Sequence, residues 1–340
     1  MRPLFFYIFF ACCFGSLFVT FNFSFAADYN LERIFYISQK NIIDGVKSLE
    51  KNWKKIDIVA PQSYAINSDL ILTGKLDAQL KKTIAERKLK TMPLVVNEAF
   101  NRQIISKLLS SSEDQDNIIN GLIYLAKKNS YIGWQYDFEN IDYQDKDLFS
   151  AFVKKTYTEF QKNKLIFSVA VVARHVDYED TKSFKDWSGV YDYKVIADNS
   201  DFISLMVYDD PNSKGPVASL DFVNKSLAYV KDKIPAEKLS LGVPLYYWKW
   251  NLDSSKRIGS GMYKSVLAIM QNVRHVLGFD KDLGVAWISY VYNNQKYAVW
   301  FENKQSFEQK LNITKDNNLR GFSAWLLGGE DPGIWSLLGK

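Results

Sequence analysis

Asp137 and Glu139 stand one residue apart in the segment YIGWQYDFEN, residues 131–140, which is otherwise aromatic and apolar. Two carboxyl groups that lie close together repel each other when both are charged, so the pKa of one of them rises. A carboxyl group held protonated in this way can act as a general acid near neutral pH. The pair therefore favours acid–base catalysis. The alternative is that the two residues belong to a buried polar network that carries out no reaction.

The side chains of this segment alternate in character, as those of a β-strand do. One face holds a glycine and the polar residues: Gly133, Gln135, Asp137 and Glu139. The other face is aromatic: Trp134, Tyr136 and Phe138. Three polar groups on a buried face are costly unless they bond to one another or to a ligand. We therefore expect the polar face to point into a site and the aromatic face to pack under helices.

Short apolar strands that alternate with amphipathic helices must position this segment. Eight strands are predicted: Ile34–Ile37, Ile56–Ala60, Met92–Val96, Ile132–Glu139, Leu165–Val172, Phe202–Tyr208, Leu239–Val243 and Gly321–Trp325. This order predicts an α/β fold, a (β/α)8 TIM barrel. An open doubly wound sheet is the rival, but no glycine-rich fingerprint follows the first strand. In a barrel, Glu139 would reach the C-terminal mouth, where barrel active sites lie, with Asp137 one layer below.

Apolar residues at helical spacing mark the helices between these strands. The first helix shows this spacing in Ile42, Ile43, Val46, Leu49 and Trp53, and the fourth in Leu148, Phe149, Phe152, Val153 and Phe160. Ser112 and Gln115 have the spacing of a capping box, which predicts that the third helix opens there.

The interval from Pro244 to Gly321 is much longer than one helix requires. It contains two strand-like runs, Val285–Tyr292 and Gln295–Glu302, on either side of Asn293-Asn294. Two residues that tolerate positive φ between such runs predict a hairpin. We therefore expect a small α+β insertion, at about 248–303, between strands seven and eight of the barrel.

Residues 1–27 have the pattern of a secretory signal peptide. A basic residue, Arg2, precedes an apolar stretch from Leu4 to Val19, and Ala26 and Ala27 offer a cleavage site. An uncleaved membrane anchor is the alternative. The remaining residues, 28–340, are predicted to form one catalytic barrel, exported to the periplasm or secreted from a bacterium, with no stable membrane span once the signal is removed.

The composition excludes several kinds of site. Cys12 and Cys13 are the two cysteines and both lie in the predicted signal, so we expect no disulfide, thiolate metal site or thiol nucleophile after cleavage. His175 and His275 are the two histidines, which excludes a multi-histidine metal centre. The formal net charge of +5 comes without a basic block, which argues against a nucleic-acid partner. We expect a monomer without a metal or another cofactor.

The acidic segment resembles the fourth strand of glycoside hydrolase family 18, the chitinase-like barrels, which carries D-G-x-D-x-D-x-E. The glycine, the last aspartate and the glutamate of that pattern match Gly133, Asp137 and Glu139. The first two aspartates are replaced by Ile132 and Gln135. An amide at 135 can hydrogen-bond to Asp137 but cannot titrate, so we expect Gln135 to orient that carboxyl group.

Further segments resemble the family in the same order along the chain. Residues 204–209, SLMVYD, are similar to its sixth-strand M-x-Y-D, and residues 238–246, KLSLGVPLY, to its seventh strand. Residues 321–325, GFSAW, are similar to the eighth strand with its final tryptophan. Residues 299–302, VWFE, and 331–335, DPGIW, resemble the branch that contains bacterial spore-cortex and peptidoglycan N-acetylglucosaminidases.

The resemblance implies a retaining, substrate-assisted hydrolysis of β-linked N-acetylglucosamine glycans, with no nucleophile from the enzyme. Glu139 would protonate the glycosidic oxygen, and Asp137 would polarise the N–H of the substrate's acetamido group. Tyr208 and Asp209 would hold that group, and Trp325 would stack under the sugar. Further substrate contacts are expected from Gln135, Met206, Tyr36 and Tyr246.

Two alternatives remain open from the sequence. The protein could be a catalytically weak or inactive glycan-binding relative, although such members typically lack the glutamate. Hydrolysis could also use a second carboxylate as nucleophile, Glu98 or Glu302. Peptidoglycan, chitooligosaccharides and related glycans all carry the required acetamido sugar.

Overall fold

The computed structural model of the protein describes residues 31–339. The predicted signal peptide, residues 1–27, lies outside the described residues. Among the described residues, no helix combines the length and the apolar character that a membrane crossing requires.

Eight parallel strands close into a barrel, as predicted. In the order of the ring they are β1 (Glu32–Ser38), β2 (Ile58–Ile66), β5 (Leu94–Asn97), β6 (Gly133–Tyr136), β7 (Ile166–Val172), β8 (Phe202–Met206), β9 (Leu239–Pro244) and β15 (Gly321–Trp325). Parallel pairing of β15 with β1 and of β1 with β2 closes the ring. Two short strands flank β2: β3 (Leu72–Gly74) pairs antiparallel with it, and β4 (Lys90–Thr91) pairs parallel.

Helices surround the barrel and cover its outer face. They are α1 (Ile42–Asn52), α2 (Ala78–Arg87), α3 (Arg102–Ser110), α4 (Ser112–Asn129), α5 (Lys146–Lys162), α6 (Tyr193–Asp198), α7 (Leu220–Val230) and α9 (Lys304–Asp316). The helix predicted to open with a capping box of Ser112 and Gln115 is α4, and its N-cap residue differs from the prediction. Ser111, not Ser112, is the N-cap residue and accepts from the Asp114 N–H, while the Gln115 side chain donates to Leu108 and Leu109 carbonyls.

The aromatic face of β6 packs outward, as the alternation predicts. The indole N–H of Trp134 donates to the Leu122 carbonyl of α4 at 2.9 Å. The Tyr136 ring stacks on Phe152 of α5 at 5.3 Å, and its hydroxyl bonds to Thr156. These contacts fix the rotation of the strand, so the next residues of the opposite face must point into the barrel.

The predicted insertion is a five-stranded antiparallel sheet with one helix between β9 and β15. Its elements are β10 (Tyr246–Asn251), β11 (Lys256–Met262), α8 (Tyr263–Asn272), β12 (His275–Asp280), β13 (Val285–Tyr292) and β14 (Gln295–Phe301). The strand order is β11-β10-β14-β13-β12. Asn293 and Asn294 both have positive φ, 48° and 58°, and form the two-residue turn between β13 and β14. The hairpin prediction is therefore confirmed.

Candidate active site

A cavity of about 1150 Å³ opens at the C-terminal end of the barrel. Its wall includes the last residues of β1, β8 and β15, which are Ser38, Met206 and Trp325. Eight of the nine predicted site residues line it: Tyr36, Asp137, Glu139, Met206, Tyr208, Asp209, Tyr246 and Trp325. Residues from five separate parts of the chain thus meet where the barrel geometry places an active site.

Gln135 is the predicted site residue that does not line the cavity; it lies fully buried beneath it. Its Oε1 accepts from the Tyr36 hydroxyl at 2.7 Å. Its Nε2 donates to the hydroxyls of Ser168 and Ser204 at 2.8 and 2.9 Å. Both amide hydrogens are used in this way, so the expectation that Gln135 donates to Asp137 is wrong. Gln135 ties four strands of the barrel floor together and supports Tyr36 from below.

Asp137 follows β6 directly, and its backbone N–H continues the ladder by donating to the Val95 carbonyl at 3.0 Å. The alternation of the strand therefore extends past its last residue, and the carboxyl group points inward. Gln62 of β2 is its side-chain partner, with Nε2 3.4 Å from Oδ2. Burial raises the pKa of Asp137 to about 6, and the Gln62 hydrogen bond opposes part of that rise.

Glu139 lies above Asp137 on the wall of the cavity. Burial raises the pKa of Glu139 well above its ordinary value, and the nearby charges of Asp137 and Asp209 raise it further. A carboxyl group with this environment stays protonated at pH values where an exposed glutamate has lost its proton. It meets the electrostatic requirement for a general acid.

The backbone that carries Glu139 is held by two buried side chains. Asn97, the last residue of β5, donates from Nδ2 to the Glu139 carbonyl at 2.9 Å and accepts at Oδ1 from the Glu139 N–H at 3.1 Å. The Tyr191 hydroxyl donates to the Phe138 carbonyl at 2.8 Å. Neither residue was predicted from the sequence. A polar residue at the carboxyl end of a barrel strand is a signal that could have found Asn97.

Asp209 follows β8 in the left-handed region, with φ of 56°, and this conformation turns the chain at the mouth. Burial raises the pKa of Asp209, whereas a hydrogen bond with Tyr246 and the positive charge of Arg257 oppose the rise. Tyr208 and Tyr246 meet edge to face, with their ring centroids 6.3 Å apart. The pKa of each tyrosine is raised well above its ordinary value, chiefly by burial, so both hydroxyls remain protonated donors.

Trp325, at the end of β15, is tilted against Tyr36 with the ring centroids 5.5 Å apart. Burial raises the pKa of Tyr36 to about 12, so its hydroxyl stays protonated and donates to Gln135. The buried glutamine thus holds the tyrosine, and the tyrosine supports the indole. Trp325 remains partly exposed to the cavity, where its ring is available to an apolar sugar face.

The inserted sheet forms one wall of the cavity. Of the residues on this wall, Tyr246 was predicted from the sequence. Trp248, Trp250 and Arg257 all line the cavity. The Trp250 indole N–H donates to the Gly215 carbonyl at 2.7 Å and ties the sheet to the loop after β8. Aromatic residues in a strand do not indicate which face of the strand meets a ligand. These contacts with the cavity could therefore be identified only from the three-dimensional structure.

The two carboxylates that were considered as alternative nucleophiles lie outside the cavity. Neither Glu98 nor Glu302 lines the cavity. Glu302 is buried and ion-paired with Lys310 of α9 at 2.8 Å. Among residues 31–339, no group of three or more histidine, cysteine, aspartate or glutamate side chains is arranged to hold a metal ion.

Known proteins resemble the chain along most of its length. The model of the family described as glycosyl hydrolases family 18 matches residues 28–330. The chain is 26% identical over 302 residues to the uncharacterized glycosylase YvbX of Bacillus subtilis (strain 168), covering 86% of this chain and 87% of that protein. It is also 26% identical over 270 residues to the cortical fragment-lytic enzyme of the same organism, covering 76% of this chain but 61% of that enzyme, less than two thirds of its length.

Solved structures share the fold. The spore cortex-lytic enzyme SleL of Bacillus megaterium superposes with a TM-score of 0.81 at 23% sequence identity, over 91% of this chain and 73% of that one. The family match confirms the predicted resemblance and the prediction of a glycoside hydrolase. This chain belongs to glycosyl hydrolases family 18.

Proposed function

We propose that this protein hydrolyses β-linked N-acetylglucosamine glycans by a retaining, substrate-assisted mechanism with Glu139 as the general acid. The observation that carries the proposal is the environment of Glu139: burial and the charges of Asp137 and Asp209 raise its pKa, and its carboxyl group faces the cavity. Family membership supports the same reaction class.

In the proposed reaction, Glu139 donates its proton to the glycosidic oxygen as the bond to the anomeric carbon breaks. The carbonyl oxygen of the substrate's 2-acetamido group attacks that carbon and forms an oxazolinium ion. Asp137 accepts a hydrogen bond from the acetamido N–H and stabilises the positive charge. Water then attacks the anomeric carbon and gives its proton to Glu139, which restores the acid and retains the configuration.

In this proposal, residues that line the cavity bind the substrate. Tyr208 and Asp209 hold the acetamido group, and Tyr246 positions Asp209 through their hydrogen bond. Trp325 stacks under the sugar, and Met206 and Tyr36 complete its pocket. Gln135 contributes from below through Tyr36 rather than by touching the substrate.

Peptidoglycan is the glycan we favour. Two similar proteins bear names that refer to the spore cortex, the cortical fragment-lytic enzyme and the spore cortex-lytic enzyme SleL. The N-terminal segment with Arg2 and its apolar stretch supports export to such a substrate. Residues 28–340 would form the exported catalytic barrel.

Replacement of the acid tests the proposal. Glu139→Gln keeps the shape of the side chain but cannot donate a proton, so turnover should fall at least about 100-fold. Mass spectrometry of products from chitooligosaccharides, muropeptide glycans and a chitobiose-core glycopeptide would identify the substrate. A thiazoline mimic of the oxazolinium ion should inhibit the wild type.

The control is Glu113→Gln on α4, which removes an equivalent carboxylate in the first turn of an outer helix. Unchanged turnover in Glu139→Gln would remove Glu139 from the role of acid. Glycan binding without any product from the wild type, even at high enzyme concentration, would instead identify a glycan-binding protein.

A further inference from the structure

Arg257 occupies an unusual position on the cavity wall. It lies on β11, is exposed, and lines the same cavity as Glu139. Its guanidinium group lies over the ring of Trp248, with Cζ 4.2 Å from the ring centroid. Trp248 is itself buried, so it provides a fixed platform that holds the guanidinium plane in place.

Within residues 31–339, no carboxylate lies within ion-pair distance of Arg257. Lys182, another cation of the cavity wall, pairs with Asp186 at 2.6 Å. Arg257 acts on Asp209 through its charge alone. Its fork of N–H donors is therefore available to a ligand.

The guanidinium group of Arg257 is accessible, since the residue is exposed. Gly259 and Ser260 also line the cavity. A group that projects from a glycan bound in the cavity can therefore reach the guanidinium edge.

A guanidinium group stacked on an aromatic ring keeps its planar edge free, and this edge matches the two oxygens of a carboxylate. A neutral sugar offers single hydroxyl groups, which do not use the positive charge. The position thus favours a glycan with an acidic substituent over a neutral one.

We propose that Arg257, on its Trp248 platform, binds a carboxylate carried by the glycan, so that this protein selects acidic amino-sugar glycans over neutral glycans of the same length. The inference rests on the proposed function for the identity of the sugar chain. Two sources share this chemistry: the carboxylate of a lactyl ether on the amino sugar, and the carboxylates of a peptide attached to that ether.

The test compares three matched oligosaccharides of alternating N-acetylglucosamine and N-acetylmuramic acid. One has free lactyl carboxylates, the second has each lactyl group converted to its primary amide, and the third carries stem peptides. The quantity measured is the ratio of kcat/KM for a carboxylate-bearing glycan to kcat/KM for the amide. This ratio cancels any effect of Arg257 that both glycans share, including its effect on Asp209.

We expect Arg257→Gln to lower this ratio about tenfold, because a charge-assisted bidentate contact is lost. Arg257→Lys should retain part of the preference, because the charge remains but the planar fork does not. Lys256→Gln is the matched control: it removes the neighbouring exposed charge of β11, which does not line the cavity, and should leave the ratio unchanged.

Loss of preference with the free lactyl glycan identifies the lactyl carboxylate as the ligand, and loss confined to the peptide-bearing glycan identifies the peptide. A wild-type ratio near one for both glycans, or the same ratio in Arg257→Gln, would overturn the inference while leaving the proposed hydrolysis intact.

Binding measurements separate the inference from the reaction. Dissociation constants for the same glycans, measured by calorimetry in the Glu139→Gln background, require no turnover. An Arg257-dependent carboxylate preference in these binding constants, together with a wild type that cleaves none of the glycans, would support the inference and reject the proposed hydrolysis.

Discussion

Asn97 holds the backbone of Glu139 from both sides, donating to its carbonyl at 2.9 Å and accepting from its N–H at 3.1 Å. Its side chain is fully buried, and Nδ2 also donates to the Asn101 carbonyl at 3.1 Å. Because Glu139 lies beyond the last residue of β6, the barrel ladder no longer fixes its position. Asn97, which lies on the neighbouring strand β5, fixes the position of Glu139 instead.

Replacing Asn97 should therefore impair the reaction more than substrate binding. We expect Asn97→Ala to lower kcat roughly 10- to 100-fold with little change in KM, because a displaced acid loses alignment with the glycosidic oxygen. Steady-state kinetics on a cleaved glycan gives both constants. Asn101→Ala is the matched control, since the Asn101 side chain caps α3 and does not touch Glu139. Equal losses in the two variants, or a change confined to KM, would contradict a positioning role.

Gln135 should contribute to stability through the groups that it pairs. Gln135→Met keeps a similar volume but removes the hydrogen bonds that Gln135 makes with the buried hydroxyls of Tyr36, Ser168 and Ser204. We expect the free energy of unfolding to fall by about 2 kcal/mol or more, since an unpaired buried polar group costs roughly 1–3 kcal/mol. Denaturant unfolding measures this change, with the exposed Gln144→Met as control. A variant as stable as the wild type would show that the buried network is not needed for folding.

Asp137 should reduce stability at neutral and alkaline pH. Its folded-state pKa of about 6 lies above the ordinary value of 3.8, so the folded state binds the proton more tightly than the unfolded state. The stability associated with this proton is complete below about pH 3.8 and is lost as the pH rises through about 6.

Asp137→Asn removes this titration. It should raise the free energy of unfolding at pH 8 by roughly 1–3 kcal/mol, with a smaller gain at pH 4.5. Urea unfolding at the two pH values measures the difference, and Asp147→Asn on the exposed side of α5 serves as control. A gain that is equal at both pH values would rule out the ionisation of Asp137 as its cause.

Trp325 should bind the sugar by stacking. Trp325→Ala removes the ring that faces the cavity, and we expect kcat/KM to fall roughly 10- to 100-fold. Trp53→Ala is a control, because that indole lies on the outside of the barrel beside Arg87 and does not line the cavity. Equal activity of the wild type and Trp325→Ala would exclude stacking on this ring as a source of substrate binding.

The acidic segment was predictable because one local rule governs it. Alternation assigns Asp137 and Glu139 to the inner face even though β6 ends at Tyr136, since the Asp137 N–H still bonds to the neighbouring strand. The end of β2 was harder to predict. The strand was expected to end at Ala60 but continues to Ile66, past Pro61 and two polar residues that interrupt the apolar pattern.

The partners of the predicted residues could not be read from the sequence. Asn97 is 42 positions from Glu139, and Gln62 is 75 positions from Asp137. An isolated asparagine or glutamine in a strand is compatible with many partners, and closure of the barrel decides which one it meets. Arg257 was missed for the same reason, because its value lies in its contact with Trp248 on the adjacent strand.

One residue separates the end of β9 from the start of the inserted sheet, so Tyr246, Trp248 and Arg257 lie far along the chain from the strand that carries Glu139. Changes in this stretch can accumulate without touching the acid, and the acid can be inherited unchanged while the insertion diverges. Members of the family that keep the same catalytic strand can therefore differ in the glycans that they hydrolyse. Comparing insertions, rather than catalytic strands, is the way to sort them by the glycans they use.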